Sequence, residues 1–348
     1  MNFGTSYKGS KSAIAERLMR FIPDGVRFVD LFAGGCAITH AAMLSGKFKD
    51  FLANDLDGAG VRLFLDAVNG GKPEWKRWVS RDEFMRTRFA DPFVQLCWSF
   101  GNNQRSYMYS REIEPLKRAY HLAYYGDYTA ADALGIDLHG LPEGGYEVRY
   151  HAMRKRLREY WTKSGREVWS KDSHGKGMVK LSLASLSSLS SLQSLQSLVS
   201  LERLQSLQNL QRLESLQSLE SLQRLETSFL SYDSVPLREG DIVYCDPPYA
   251  NTNGYDKKSG KTKFDSAAFW DWVRHCPCPC FVSEYAAPPD FIAIAKIPKR
   301  SLVCAQLNKA ATECLFVHED ALGRNSAAKQ GEQMPFDFIN NKTENQNG

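Results

Sequence analysis

Apolar residues recur at helical spacing from Lys11 to Ile22 and stop at Pro23, which predicts a first helix. The run Arg27-Phe28-Val29-Asp30-Leu31-Phe32 is short and apolar, as in a buried strand, and Ala33-Gly34-Gly35 closes it. A second helical pattern covers Ala37 to Leu44, a second strand Lys49 to Asp55, and a further helix Gly60 to Val68. Strand, glycine turn, helix, strand and terminal acid, in that order, make a βαβ unit that seeds a parallel sheet. The expected fold class is α/β, a Rossmann-like doubly wound sheet. Near the other end, strands are expected at Thr227–Val235, Asp241–Cys245 and Cys280–Tyr285. Lys299–Cys304 with Glu313–Val317 reads as a terminal pair, and Phe269–Arg274 as a helix. From Ala321 the chain is polar and is expected to be disordered.

Between these blocks the pattern changes twice. From Pro73 to Lys180 aromatic and basic residues interleave, and His151–Lys180 holds nine Lys or Arg against three acids, a local balance of +6. Clustered basic charge suits a phosphate backbone, although a solvated helix face explains it almost as well. From Leu183 to Leu225 a leucine then stands at every third position, fifteen in all, among Ser, Gln, Glu and Arg. In an α-helix such a row drifts about 60° per step and circles the axis within six repeats. In a 3₁₀-helix it makes one straight stripe, and in a strand it alternates faces. A rod of 3₁₀ or mixed 3₁₀/α type is the favoured reading, with a β-solenoid second. The strip is expected to act as an expandable spacer.

Composition narrows the classes. The chain has 348 residues, 43% hydrophobic and 24% charged, with a net charge of +4, so it is globular and far from histone-like. No apolar run reaches the length of about 18 residues that a membrane span needs, and Met1–Lys8 leads into polar sequence rather than a secretory apolar core. The eight cysteines are expected to be reduced thiols of a cytoplasmic protein. Cys276-Pro277-Cys278-Pro279-Cys280 is too closely spaced for a zinc site and reads as a loop entering a strand.

Two segments carry chemistry. Phe32-Ala33-Gly34-Gly35 puts glycines where a backbone must approach a ligand closely, and Asp55 ends the next strand, where a carboxylate can bind ribose hydroxyls. Asp246-Pro247-Pro248-Tyr249 sets a carboxylate after an apolar strand, then two φ-locked prolines and an aromatic. Such a rim can accept hydrogen bonds from an exocyclic amine while the aromatic stacks on its base.

Together these segments resemble the Dam-like, DPPY-type DNA adenine-N6 methyltransferases, which use S-adenosylmethionine. The resemblance covers residues 1–75 and 227–325. Tyr7-Lys8-Gly9-Ser10-Lys11 is similar to the family's aromatic-x-Gly-Gly-Lys motif, with Ser10 in place of the second glycine. It implies a catalytic set of Asp246, Pro247, Pro248 and Tyr249. It likewise implies cofactor contacts from Tyr7, Lys11, Asp30, Phe32, Gly34, Gly35, Asp55 and Asp246. Residues 76–180 would recognise DNA, with Arg105, Tyr107, Arg154, Lys155, Arg156 and Arg158 as candidate contacts. The implied partner is double-stranded DNA, met by a monomer or weak dimer without metal or membrane. A repeat-bearing, tailed member is compatible with a phage-encoded or restriction-modification enzyme. A methyltransferase of another exocyclic amine, in cytosine or RNA, and a catalytically silent DNA-binding relative are the competing readings.

Overall fold

The computed structural model describes residues 2–111, 113–164, 168–171, 178–181, 205–216, 224–248, 264–299 and 311–320. Helices α1 (Ala15–Met19), α2 (Ala37–Ser45) and α3 (Ala59–Val68) alternate with strands β1 (Arg27–Asp30) and β2 (Asp50–Asn54). Helices α4 (Arg81–Thr87), α5 (Pro92–Cys97), α6 (Glu114–Tyr124), α7 (Thr129–Ala133) and α8 (Tyr146–Ser164) follow. After them come the hairpin β3 (Val168–Lys171) and β4 (Met178–Leu181), and α9 (Gln205–Leu216). The chain returns through β5 (Leu225–Ser228), β6 (Asp241–Cys245), α10 (Ser266–His275), β7 (Cys280–Glu284), β8 (Phe291–Lys299) and β9 (Ala311–His318).

Seven strands form one sheet in the order β5-β2-β1-β6-β7-β9-β8. The first five run parallel, and β9 and β8 close one edge antiparallel. All residues of β1, β6 and β7 are buried, which is why these strands read as unbroken apolar runs rather than alternating ones. Strand order reverses between β1 and β6, and crevices at such switch points, beyond the strand ends, are where α/β sheets bind ligands. Asp30 ends β1 and Asp246 follows β6, so both lie at that crevice.

The structure corrects several expected elements. Only Leu225–Ser228 of the segment to Val235 is strand, and a 3₁₀ turn occupies Tyr232–Ser234. Of the expected Lys299–Cys304 only Lys299 lies within the described residues, and β9 pairs with Phe291–Lys299. Pro298 lies within it, and an edge strand tolerates proline because one side of its ladder is open. The tail from Ala321 and most of the leucine strip lie outside the described residues.

The described part of the strip, α9, is α-helical, which the mixed 3₁₀/α reading allows and a pure 3₁₀ rod does not. Leu207, Leu210, Leu213 and Leu216 are all buried, with Ser206 and Asn209, while Gln211, Glu214 and Ser215 face solvent. Four leucines at period three sweep only about 180° of an α-helix, so a short stretch still leaves a polar face. This helix packs on α3 and α5 and joins the same apolar cluster as α1, α2 and α6, which is the setting of a core element rather than a spacer.

Candidate active site at the sheet's switch point

Three backbone-driven features shape the crevice. Gly34 has φ +50, and Cys36 after it φ 58, so the turn from β1 into α2 runs through left-handed conformations. A Cβ on Gly34 would come within 2.9 Å of the Tyr7 ring, and one on Gly35 within 2.7 Å of Tyr7 Cβ and 3.0 Å of the Thr5 carbonyl. Gly60 of α3 leaves no room either, since its Cβ would sit 1.9 Å from the Gly34 carbonyl. The glycines thus let the amino-terminal segment close on the turn, where Thr5 N–H donates to the Gly35 carbonyl at 2.8 Å.

Asp55 reaches back from the end of β2 and fixes the same turn. Its Oδ2 accepts from Gly34 N–H at 2.9 Å, and its Oδ1 accepts from the N–H groups of Asp57 at 3.0 Å and Gly58 at 3.2 Å. Burial raises its pKa, and the bonds from Gly34, Gly58 and Asp57 work the other way. Asp30 is fully buried and burial lifts it to about 7, with Thr39 as a hydroxyl donor to Oδ2 at 2.8 Å. Its Oδ1 is buried without a hydrogen bond of ordinary geometry, so it has capacity for a ligand's cationic or N–H group.

On the far side of the crevice, Lys11 Nζ sits 2.7 Å from Asp246 Oδ1 and 3.5 Å from Glu313 Oε1. Burial alone would lower the lysine's pKa, but Asp246 and then Glu313 outweigh it, and the net direction is up. Lys11 therefore fixes the orientation of Asp246, whose side chain keeps 20% exposure toward the crevice. Glu284, at the end of β7, is pushed up to about 7, first by burial and then by Asp246 and Glu313. Pro247 is buried, Pro248 half-buried, and Tyr249 lies outside the described residues.

Other expected contacts are distributed differently. Phe32 turns into an aromatic cluster, 5.6 Å from Tyr232 and 5.7 Å from Phe269, so most of its ring is committed to packing. Tyr107 is also a correction: it is buried, and its hydroxyl donates to the Val79 carbonyl at 2.7 Å, so it supports the fold instead of meeting DNA. Arg105 and Lys155 are exposed. Arg154 lies 5.6 Å over the Tyr150 ring, and Arg156 binds the carbonyls of His139 and Gly140. The Arg158 side chain lies outside the described residues. Trp75, Trp98, Tyr109 and Tyr120, among the interleaved aromatics, are core.

Residues that the sequence reading missed complete the site. Asn54 donates to the carbonyls of Leu31 and Leu230 and accepts from the Ser228 hydroxyl and Leu230 N–H, tying β1, β2 and β5 together beside Asp55. Glu313 is distant in sequence from Lys11, so only the fold reveals it. Among the described residues, no group of three or more His, Cys, Asp or Glu could hold a metal, and no helix could cross a membrane. Seven described cysteines are free and buried.

The model of D12 class N6 adenine-specific DNA methyltransferases matches residues 7–113. The match spans just under a third of the chain, so over residues 7–113 the chain is similar to that family. The matched stretch takes in Tyr7, Lys11, the Gly34–Gly35 turn and Asp55, and ends before the strand that delivers Asp246. The matched family is named for methylation of adenine in DNA, and the chain's mixed sheet of seven strands is consistent with a methyltransferase fold. No curated protein matches the chain.

Proposed function

We propose that the crevice between β1 and β6 binds S-adenosylmethionine and methylates the exocyclic amino group of an adenine flipped out of duplex DNA. The supporting observation is the convergence of the Gly34–Gly35 turn, Asp55 and the Lys11-held Asp246 at one switch point. The residues fit the cofactor: Asp55 for ribose hydroxyls, exposed Leu56 and Phe229 beside it as apolar surface for the purine, and Asp30 Oδ1 for an N–H or cationic group. When bound, S-adenosylmethionine supplies a methyl group on a sulfonium. Because its leaving group is a neutral thioether, positioning carries the catalysis.

Removing the adenine from the stack costs a few kcal/mol and exposes its amino group. Asp246 and the Pro247 carbonyl would each accept one of its N–H bonds. Two acceptors at that angle draw the nitrogen lone pair out of ring conjugation and free it to attack. Lys11 preorganises Asp246, so little rearrangement remains for the reacting state. Tyr249, by its place in the sequence, would stack on the flipped base, and the exposed Arg105 and Lys155 are candidate phosphate contacts. Cytosine and RNA remain the second reading, disfavoured by the class of the family matched.

Titration calorimetry with S-adenosylmethionine, paired with tritium transfer to duplex DNA, tests this. The wild-type chain should bind and transfer, Asp55→Ala should lose binding, and Asp246→Ala should bind without transferring. Near-normal transfer by Asp246→Ala would overturn the mechanism.

A further inference from the structure

The leucine repeat poses a register problem that α9 has solved. Any window of the strip can place leucines at the positions of Leu207, Leu210, Leu213 and Leu216, because sliding by a triplet replaces leucine with leucine. Apolar packing alone therefore leaves the docked register degenerate. Three polar side chains on the docked face are not degenerate. Ser206 accepts from the Tyr109 hydroxyl at 3.1 Å and lies 3.0 Å from His121 Nδ1. His121 is held neutral by burial, its pKa lowered to about 4, and its Nε2 meets the Lys76 carbonyl at 3.0 Å. That carbonyl takes the ring proton, so Nδ1 accepts from Ser206. Asn209 Oδ1 accepts from the Ser6 hydroxyl at 2.8 Å, and its Nδ2 donates to the Cys97 carbonyl at 2.6 Å. Arg212 donates to the Gly4 carbonyl at 2.8 Å and the Phe3 carbonyl at 2.6 Å.

Each shifted register can be checked against these three sites. A shift of one or two triplets in either direction drops an arginine, Arg203 or Arg212, into the buried site of Ser206 or Asn209. An unpaired buried charge is strongly disfavoured there. Shifts of three or more triplets toward the carboxyl end run into β5. One decoy survives. Nine residues earlier, Ser197, Ser200 and Arg203 fall on the sites of Ser206, Asn209 and Arg212, with leucines in every pocket. Only Asn209, the sole asparagine of the strip, separates the two registers. A serine hydroxyl can accept from one partner and donate to another, but its single oxygen sits closer to the backbone than Asn209 Oδ1 and Nδ2 and cannot reach both Ser6 and the Cys97 carbonyl. Extending the connector to β5 by nine residues costs little, since closure entropy grows slowly with length.

We propose that Asn209 is the register key of the leucine repeat, with Arg203 and Arg212 excluding the nearer registers. Through Ser6, Asn209 acts as a positioning residue for the segment that backs the Gly34–Gly35 turn, and the register it sets brings Arg212 to the Gly4 and Phe3 carbonyls, a role that deepens the proposed cofactor site.

Hydrogen exchange on the full chain reads the register without reference to any cofactor. In the wild type, protected amides should lie within Gln205–Leu216. Asn209→Ser should share protection between that window and one nine residues earlier, with Phe3–Ser6 exchanging at least severalfold faster. Ser200→Asn combined with Asn209→Ser should move the protected window wholly to the earlier position and restore protection of Phe3–Ser6. Protection that stays within Gln205–Leu216 in the double variant would overturn the proposal. So would its loss from both windows, since the key would then not be portable. A failure of S-adenosylmethionine binding with the window moved as expected would count against the cofactor reading alone.

Discussion

Two buried cation–carboxylate contacts sit at opposite ends of the same central strands, and they do different work. At the start of β1 and β6, Arg27 grips Asp241 with two bonds of 2.9 and 2.6 Å, and both side chains are almost fully enclosed. The same guanidinium also donates to Glu226 Oε2 at 3.4 Å and to the Pro236 carbonyl at 3.2 Å, so its fork is fully used. At the other end of the strands, Lys11 is shared between Asp246 and Glu313, with Glu284 close enough to feel both acids. Asp246 keeps 20% exposure at the crevice, whereas Asp241 is almost fully enclosed. Enclosure marks the carboxylate that holds the sheet, and exposure at the crevice marks the one placed to meet a substrate's N–H.

The contrast can be broken at either end. Asp241→Ala should be the most damaging to folding, by about 3–5 kcal/mol, because it leaves a buried guanidinium with only the half-exposed Glu226 and the Pro236 carbonyl. Urea melts of the full chain would show it, whereas a loss under about 1 kcal/mol would mean that Arg27 finds other partners. Asp246→Ala should cost less stability, because Glu313 still faces the buried Lys11, and should lower methyl transfer about 10²–10³-fold, the usual consequence of removing one preorganised group. Lys11→Met should keep Asp246 in place chemically but loosen it, lowering transfer about 10²-fold. Lys11→Arg should recover part of this, which separates positioning from simple destabilisation.

The smallest effect concerns pH. Asp30 and Glu284 titrate near 7 in the folded chain, against 3.8 and 4.5 when free of it. Between about pH 4 and pH 7 the folded state therefore holds more protons than the unfolded one, so stability should fall as pH rises through that window. Glu284→Gln should flatten the decline in Tm between pH 5 and pH 8. An unchanged slope would show that Glu284 is already ionised at low pH.

What the sequence made legible follows from range. The β1–turn–α2–β2 unit and the Asp246–Pro248 rim are local patterns, and each element formed within a few residues of its expected bounds. The leucine helix misled because its period was judged over fifteen leucines, whereas docking needs only the four that sweep half a turn of surface. β8 escaped notice because Lys296 and Pro298 interrupt its apolar run, which an edge position permits. Tyr107 looked like a reader of DNA because an aromatic between basic residues carries no mark of burial. The contacts of Lys11 with Glu313 and of Asn209 with Ser6 join distant parts of the chain, and no local spacing announces them.

The central claim is that the acceptors at Asp246 and Pro247 present the adenine amino group to a methyl donor. Duplex DNA incubated with the enzyme and methyl-tritiated S-adenosylmethionine, then digested to nucleosides, tests it most directly. The label should co-migrate with N6-methyldeoxyadenosine and fall about 10²–10³-fold with Asp246→Ala. Label in a cytosine nucleoside, or label on adenine undiminished by that substitution, would contradict it.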